Sequence, residues 1–312
     1  MSVVVGNLWS RRRLLAALGL TTLSACVSKP RAPALPAVVT GAIDVGDGWS
    51  LPYWDTGGTG APIVLMHAFA GSHESWPDQQ TAFADAGFRV IAYSRRGVGA
   101  TTPITTPINH AVDLERVLNA LGIQRAHLVT VAGGATVAAD FMISHPARVA
   151  SAVFACSLIS FQDPLLLAAR RAAEAPHSTQ DPNPSPEELE LSAFYRANNP
   201  EGTRRWSEIR RRAQSAGLAP RVQTNEVTLH AIAATGVPIL LIAGEHDRLL
   251  TPQMLEVIAA RLPNAEPHVI RNASHQVHWE QPVAFNALVL DFLRRQPARR
   301  ACMDLPRRSR LV

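Results

Sequence analysis

Short apolar runs alternate with stretches of helical periodicity through the middle of this chain. Residues 63–66, 89–93, 128–131, 152–155, 238–243 and 268–270 form runs of strand length, whereas 75–86, 111–121, 134–144, 252–261 and 282–294 follow helical patterns. The central runs lack strict polar alternation, as strands buried on both faces do. Together they predict an α/β fold with a mostly parallel central sheet and helices on both faces. Residues 42–55 add a candidate antiparallel hairpin, marked best by Gly46, Asp47 and Gly48 at its turn.

The interval 160–235 breaks this rhythm. Helix-like segments at 165–174, 187–195 and 202–217 surround a Pro- and Asp-rich passage at 175–186, and Pro186 suits a helix start. An inserted helical cap over one end of the sheet accounts for the interval and supplies walls for a pocket. Arg204, Arg205, Arg210, Arg211 and Arg212 read as the charged face of one cap helix, with capture of an anionic substrate as the alternative role.

Composition narrows the classes of partner. The chain has 312 residues, 47% of them apolar, enough for one large core with a small insertion. Its formal charge of +5 comes from the ends: Arg11 to Arg13 contribute +3, and seven arginines against Asp304 give residues 294–312 a further +6. The body from 14 to 293 is left at −4, so the charge gives no support to nucleic-acid binding. Monomer and oligomer both stay open. A basic tail is expected at 295–312.

Residues 1–25 read as an export signal. Arg11 to Arg13 precede a mostly apolar stretch at 14–23 that is short for a membrane span, and small residues lead to Cys26. Ser10-Arg-Arg-Arg-Leu-Leu15 resembles a twin-arginine signal, and Leu23-Ser-Ala-Cys26 resembles the lipobox of bacterial lipoproteins. That resemblance implies an acylated Cys26 holding the protein to a membrane on the periplasmic or extracellular side. Pro30, Pro33 and Pro36 make residues 26–41 an extended tether, with the folded domain at 42–294. Cys156, in an apolar run, reads as a buried small hydrophobe, and a disulfide to Cys302 has little support.

At 127–135, His-Leu-Val-Thr-Val-Ala-Gly-Gly-Ala runs from a buried strand through a glycine-rich turn into a helix. This is the setting of a G-x-S-x-G nucleophile elbow, in which Thr130 falls on the first glycine, Ala132 on the serine and Gly134 on the last glycine. A methyl group cannot attack a carbonyl. Four further segments occur in a telling order: His67-Ala-Phe-Ala-Gly71, Tyr93-Ser-Arg-Arg-Gly-Val-Gly99, Gly244-Glu-His-Asp247 and Asn272-Ala-Ser-His275. With the altered elbow, they make residues 42–294 resemble the alpha/beta-hydrolase fold family.

The resemblance implies a site. Backbone N–H groups of Phe69 and Gly133 would receive an oxyanion, each oriented donor being worth roughly 3 kcal/mol in a transition state. His67 and Arg96 would support the loops, although Ala68 and Ser94 depart from the family's glycine and aspartate. Glu74, Trp76 and Gln79 read as packing or cap contacts. His275 would be the acid–base and Asp247 its orienting carboxylate, with His278 and Glu245 as rivals. Thr130, Ser157 and Ser274 are the hydroxyls that could replace the missing nucleophile, each in a poor setting for it. No metal or organic cofactor is implied.

The favoured function is hydrolysis of a small apolar carboxylic ester or lactone by water that His275 activates in the space left by serine. Three alternatives stand beside it. The pair could drive a cofactor-free lyase, cyclase or isomerase reaction; the chain could be a catalytically inactive ligand-binding lipoprotein; or Ala132 could be a deliberate replacement in a conventional serine esterase.

Overall fold

The computed structural model describes residues 38–100, 104–160, 163–164, 166–168, 171, 184–214 and 220–296. The expected export signal, residues 26–37 of the tether with Cys26, the tail beyond 296 with Cys302, and parts of the cap lie outside the described residues.

Eight strands form one sheet: β1 (Val39–Asp44), β2 (Ser50–Asp55), β3 (Pro62–Met66), β4 (Arg89–Tyr93), β5 (Ala126–Val131), β6 (Val149–Ala155), β7 (Ile239–Gly244) and β8 (Ala265–Ile270). Their order is β1-β2-β4-β3-β5-β6-β7-β8. β1 pairs antiparallel with β2, and β2 with β4, while every remaining neighbour is parallel. The domain therefore starts earlier than position 42, because Val39, Thr40 and Gly41 already pair with Asp55, Trp54 and Tyr53. Those three residues are exposed, so ladder hydrogen bonds rather than burial hold them and no apolar pattern marks them.

The helices close both faces of the sheet. α1 (Pro77–Asp85), α2 (His110–Ala120) and α3 (Gly133–Ser144) follow β3, β4 and β5. The pattern at 75–86 begins instead with a 3-10 turn, His73–Ser75, and α1 starts at Pro77, whose fixed φ and missing N–H suit a first helical position. In the cap region, α4 (Pro186–Glu190), α5 (Ala193–Asn198), α6 (Pro200–Ala213) and α7 (Leu229–Ala234) lie between β6 and β7. After β7 come α8 (Pro252–Ala259), α9 (Val277–Glu280) and α10 (Pro282–Arg295).

Alternate residues of one strand enter different cores. Ile63 and Leu65 of β3 join Phe83, Phe285 and Phe292 from α1 and α10, whereas Val64 and Met66 join Leu114, Phe141 and Leu255 from α2, α3 and α8. Two-sided burial is why these strands read as unbroken apolar runs.

The helical pattern at 187–195 splits into α4 and α5 because Ser192 leaves helical geometry and its hydroxyl caps Tyr195 N at 3.0 Å. A small separate core of Leu191, Tyr195, Trp206, Ile209 and Trp279 ties these helices to the chain around α9. α7 differs: Leu229 and Ile232 belong to the main core, so this end of the 160–235 interval packs with the sheet layer. Three of the five cap arginines meet acids, with Arg204 against Glu201 at 2.6 Å, Arg210 against Glu190 at 3.5 Å and Arg212 against Glu74 at 2.7 Å. The expected charged helix surface is present.

One buried histidine links the fold to pH. His127 in β5 meets the Ser151 hydroxyl at 2.8 Å, and burial, helped by Arg125, pushes its pKa from 6.5 down to about 4. Between those values the unfolded chain binds a proton that the folded chain does not, so stability is complete above pH 6.5 and falls as pH drops toward 4. The loss from this group is about 3 kcal/mol. Thermal unfolding from pH 7 to 4 is expected to show a falling midpoint, with a shallower fall in His127→Asn; equal slopes would contradict this assignment.

Candidate active site

The loop ends of the parallel strands gather the residues that the motifs singled out. Ala132 follows β5 with φ 47° and ψ −117°, a backbone setting that costs a non-glycine residue on the order of 1–3 kcal/mol. Its amide donates to Ala155 O at 2.9 Å, which ties the turn to β6. Gly134 is needed here because a Cβ would stand 2.4 Å from the Met66 carbonyl oxygen. The elbow geometry therefore persists around a methyl side chain.

Gly133 opens α3, where first-turn N–H groups have no intrahelical acceptor. The Phe69 ring lies against it, since a Cβ on Gly133 would be 2.5 Å from that ring. His67 is buried and braces the neighbouring loop: Arg95 N donates to its Nε2 at 3.1 Å, and its Nδ1 lies 2.6 Å from Ala68 O. Burial, reinforced by Arg95, holds the His67 pKa well below the ordinary histidine value. Arg96 bonds to Asp113 at 2.6 Å and to Asp47 at 3.3 Å, joining the loop after β4 to α2 and the β1–β2 turn. Ser94, where the family motif has aspartate, meets His73 Nδ1 at 2.7 Å.

Asp247 and His275 meet across the loops after β7 and β8. His275 Nδ1 lies 3.0 Å from Oδ2 and 3.1 Å from Oδ1, and the Asp247 side chain has 0% exposure. Leu249 N and Leu250 N donate to Oδ1 at 2.8 and 3.0 Å, which fixes the carboxylate plane. Burial is the largest influence on His275 and pushes its pKa down, but the Asp247 charge and hydrogen bond, with Glu190 and Glu280 behind them, carry the balance above 6.5. His275, Ala132, Gly133 and Phe69 share a cavity of about 160 Å³. A cavity of this size accepts a molecule about as large as benzene.

The rivals have other partners. His278 is buried against Trp76, with ring centroids 4.5 Å apart, and burial pushes its pKa down to about 3. Glu245 accepts from Asn272 N at 3.0 Å. Thr130 Oγ1 donates to Val153 O at 2.8 Å with the residue fully buried, and Ser274 Oγ donates to His246 O at 3.1 Å. Ser157 reaches the cavity wall, yet its hydroxyl accepts from Ile159 N at 3.0 Å. Trp76 is core, Gln79 donates to His278 O at 3.0 Å, and Glu74 holds the cap through Arg212.

Sequence reasoning missed two layers of this site. Glu280 is buried and accepts from Ser192 N and Ser274 N at 2.8 and 2.9 Å, so one carboxylate locks the cap to the histidine loop. His275 N also donates to Glu190 O at 3.1 Å. Cys156 is buried as expected of a small hydrophobe but also sits beside the pair: Cys156, Asp247 and His275 bring potential ligand atoms within 4.8 Å of one another. Cation capture would break the Asp247–His275 bond and compete with two amides. Burial, then the Asp247 charge, pushes the Cys156 pKa well above its ordinary value, so the thiol stays protonated and a poor attacker.

The fold and this loop arrangement define the class. An alpha/beta-hydrolase-fold family model matches residues 61–282, and the chain belongs to that family as a hydrolase-like enzyme. It is similar to a 2-hydroxy-6-oxononadienedioate/2-hydroxy-6-oxononatrienedioate hydrolase of Burkholderia vietnamiensis, with 29% identity over 263 residues, covering 78% of this chain and 90% of the relative. A non-heme chloroperoxidase of Streptomyces lividans is 31% identical over 162 residues, which cover 50% of this chain and 53% of that protein. Among solved structures, a thermophilic esterase from Thermogutta terrifontis has a TM-score of 0.63 at 23% identity, covering 82% of this chain and 98% of its own. The enol-lactonase of Burkholderia xenovorans has a TM-score of 0.63 at 20% identity, with 80% and 99% covered.

The electrostatics of the pair are directly measurable. An NMR titration of His275 is expected to give a midpoint above 6.5, shifted downward in Asp247→Asn because the counter-charge is gone. An unchanged midpoint would show that the carboxylate does not set the proton affinity.

Proposed function

We propose that this chain hydrolyses a small apolar carboxylic ester or lactone with water as the attacking group. The observation carrying this reading is the buried Asp247–His275 pair on the same cavity as Ala132 and Gly133. A water in the space beside the Ala132 methyl attacks the carbonyl carbon while His275 Nε2 removes its proton. The carbonyl π pair moves onto oxygen, and the amides of Phe69 and Gly133 receive that charge. Collapse expels the alkoxide, which takes the proton from His275; acid and alcohol leave without an acyl-enzyme. For a lactone, both groups remain on one molecule.

Asp247 keeps Nδ1 protonated, so Nε2 is the base, and its charge stabilises the imidazolium formed at attack. The raised His275 pKa makes the active neutral form accumulate only as pH rises through that value. Covalent capture is missing, so turnover is slow relative to a serine enzyme with the same surroundings. The relative named as a hydrolase supports the reaction class.

Comparison with Ala132→Ser across ester and lactone panels tests the mechanism. The parent chain is expected to release acid carrying one oxygen from labelled water without a trappable adduct, whereas Ala132→Ser is expected to gain at least tenfold in rate and to trap acyl groups at position 132. A stable adduct on Thr130, Ser157 or Cys156 of the parent would defeat water attack. Substrate-dependent deuterium incorporation from solvent without acid release would assign the pair to lyase or isomerase chemistry.

We also propose that the protein is exported and lipid-anchored through Cys26, with the proline-containing segment as its spacer. The arginine, apolar and small-residue sequence before Cys26 supports this reading. In a bacterial host, Cys26→Ser is expected to lose labelling by a fatty-acid probe and leave the membrane fraction; unchanged labelling would overturn anchoring at Cys26.

A further inference from the structure

A second cavity of about 330 Å³ adjoins the reaction cavity, since Phe69 and Gly133 line both. Its walls combine apolar Val137 and Val222 with His110 and Arg221. The Arg221 guanidinium carbon lies 4.0 Å from the Phe69 ring centroid, and that of Arg95 lies 5.4 Å from the same centroid. Neither arginine has an ion-pair partner among the described residues. This contrasts with Arg96, next in the chain to Arg95, which holds Asp113 at 2.6 Å.

Arg95 is an unusual charge to bury without an acid. It is only 5% exposed; Nη2 donates to Ala68 O at 2.8 Å, while Nη1 has no hydrogen-bond partner. Burial is the largest of the influences that lower its pKa to about 10, and the neighbouring Arg221 charge acts in the same direction. Arg221 is exposed overall, but its guanidinium is partly shielded and its pKa is also lowered by burial. Two cations near one ring therefore repel each other in a partly dry setting. An anion beside them removes part of that cost.

The acids nearby are already engaged. Asp140 lines the cavity, but its Oδ2 accepts from Thr224 N at 2.9 Å and its Oδ1 from Asn225 N and Nδ2 at 2.9 and 2.8 Å. Asp113 is held by Arg96. A guanidinium stacked by its face on a ring keeps its edge N–H groups for a carboxylate, the geometry in which arginine is selective.

We propose that the larger cavity is the subsite for a carboxylate carried by the substrate, held at the edge of Arg221 and favoured by the charge of Arg95 behind Phe69. The substrate class becomes a half-ester of a short dicarboxylic acid, or a lactone bearing a free carboxylate, with its reacting carbonyl at Gly133 and its anion beyond Phe69. This inference rests on the hydrolytic reading for the word substrate, whereas recognition of the carboxylate rests on the arginines alone.

The test measures binding and turnover separately on the full chain. Calorimetry with monomethyl glutarate and with methyl pentanoate, a neutral ester of similar length, is expected to show at least tenfold tighter binding of the anion. Arg221→Gln is expected to bring the two affinities together, Arg221→Lys to keep part of the preference, and added salt to reduce it in the parent. Circular dichroism melting checks that each variant is folded. Equal binding of the two esters by the parent, or an undiminished preference in folded Arg221→Gln, would overturn the subsite. If anion preference depends on Arg221 but neither ester releases acid, the subsite stands and hydrolysis falls.

Discussion

Everything at this site depends on the turn at Ala132, where an alanine occupies a backbone conformation it would not choose alone. The left-handed φ is imposed by its surroundings: the amide is tied to β6, Gly134 allows the next turn of helix to approach the Met66 carbonyl, and α3 has to leave the end of β5 at this point. The strain is on the order of 1–3 kcal/mol and is offset by packing on both sides of the sheet. In a serine hydrolase such a turn exposes the hydroxyl. Here the same turn still places the start of α3, with Gly133, on the wall of the cavity. On the proposed reading, the methyl at 132 removes the attacker while the Asp247–His275 pair stays in place.

That separation explains how the histidines divide their work. His67, His127 and His278 have their pKa values lowered chiefly by burial, and each is used as a neutral ring that packs or bridges polar groups. His275 experiences burial as well, but it alone among these four faces a fixed carboxylate at 3.0 Å, and its proton affinity moves the other way. A raised pKa makes the ring a stronger base and reduces its unprotonated fraction near neutrality. With water as attacker, the stronger base is useful because water gives up its proton reluctantly.

Much of this architecture was legible along the chain because two-sided burial leaves a plain signature. β5, β6 and β7 are buried at every position, and their apolar runs announced them. β8 is exposed over much of its length and was visible only at its end; the first residues of β1 were missed for the same reason. Asp247 and His275 were legible through their motifs, each next to a strand end. Glu190, Glu280 and Cys156 could not be assigned to the site in this way, since their roles arise where the cap and separate loops converge. Arg95 lies within the Tyr93–Gly99 motif, but only the fold shows that it lacks an acid among the described residues while Arg96 has one.

The burial of Cys156 sharpens the choice of attacker. A thiol beside a histidine is ordinarily a reason to expect covalent chemistry, because a thiolate is a strong nucleophile. In this fold burial is the largest influence opposing the thiolate, and the charge of the Asp247 carboxylate, which shares the sulfur's neighbourhood, opposes formation of a second anion as well. To become a thiolate, Cys156 would have to pass its proton to His275, but that ring's Nδ1 side is already committed to Asp247. The water of the proposed mechanism needs no such rearrangement: beside the Ala132 methyl it would use the opposite ring nitrogen and leave the Asp247–His275 bond intact. The carboxylate that strengthens the histidine as a base thus adds to burial in suppressing the thiol as its competitor, and one buried charge contributes to both preferences.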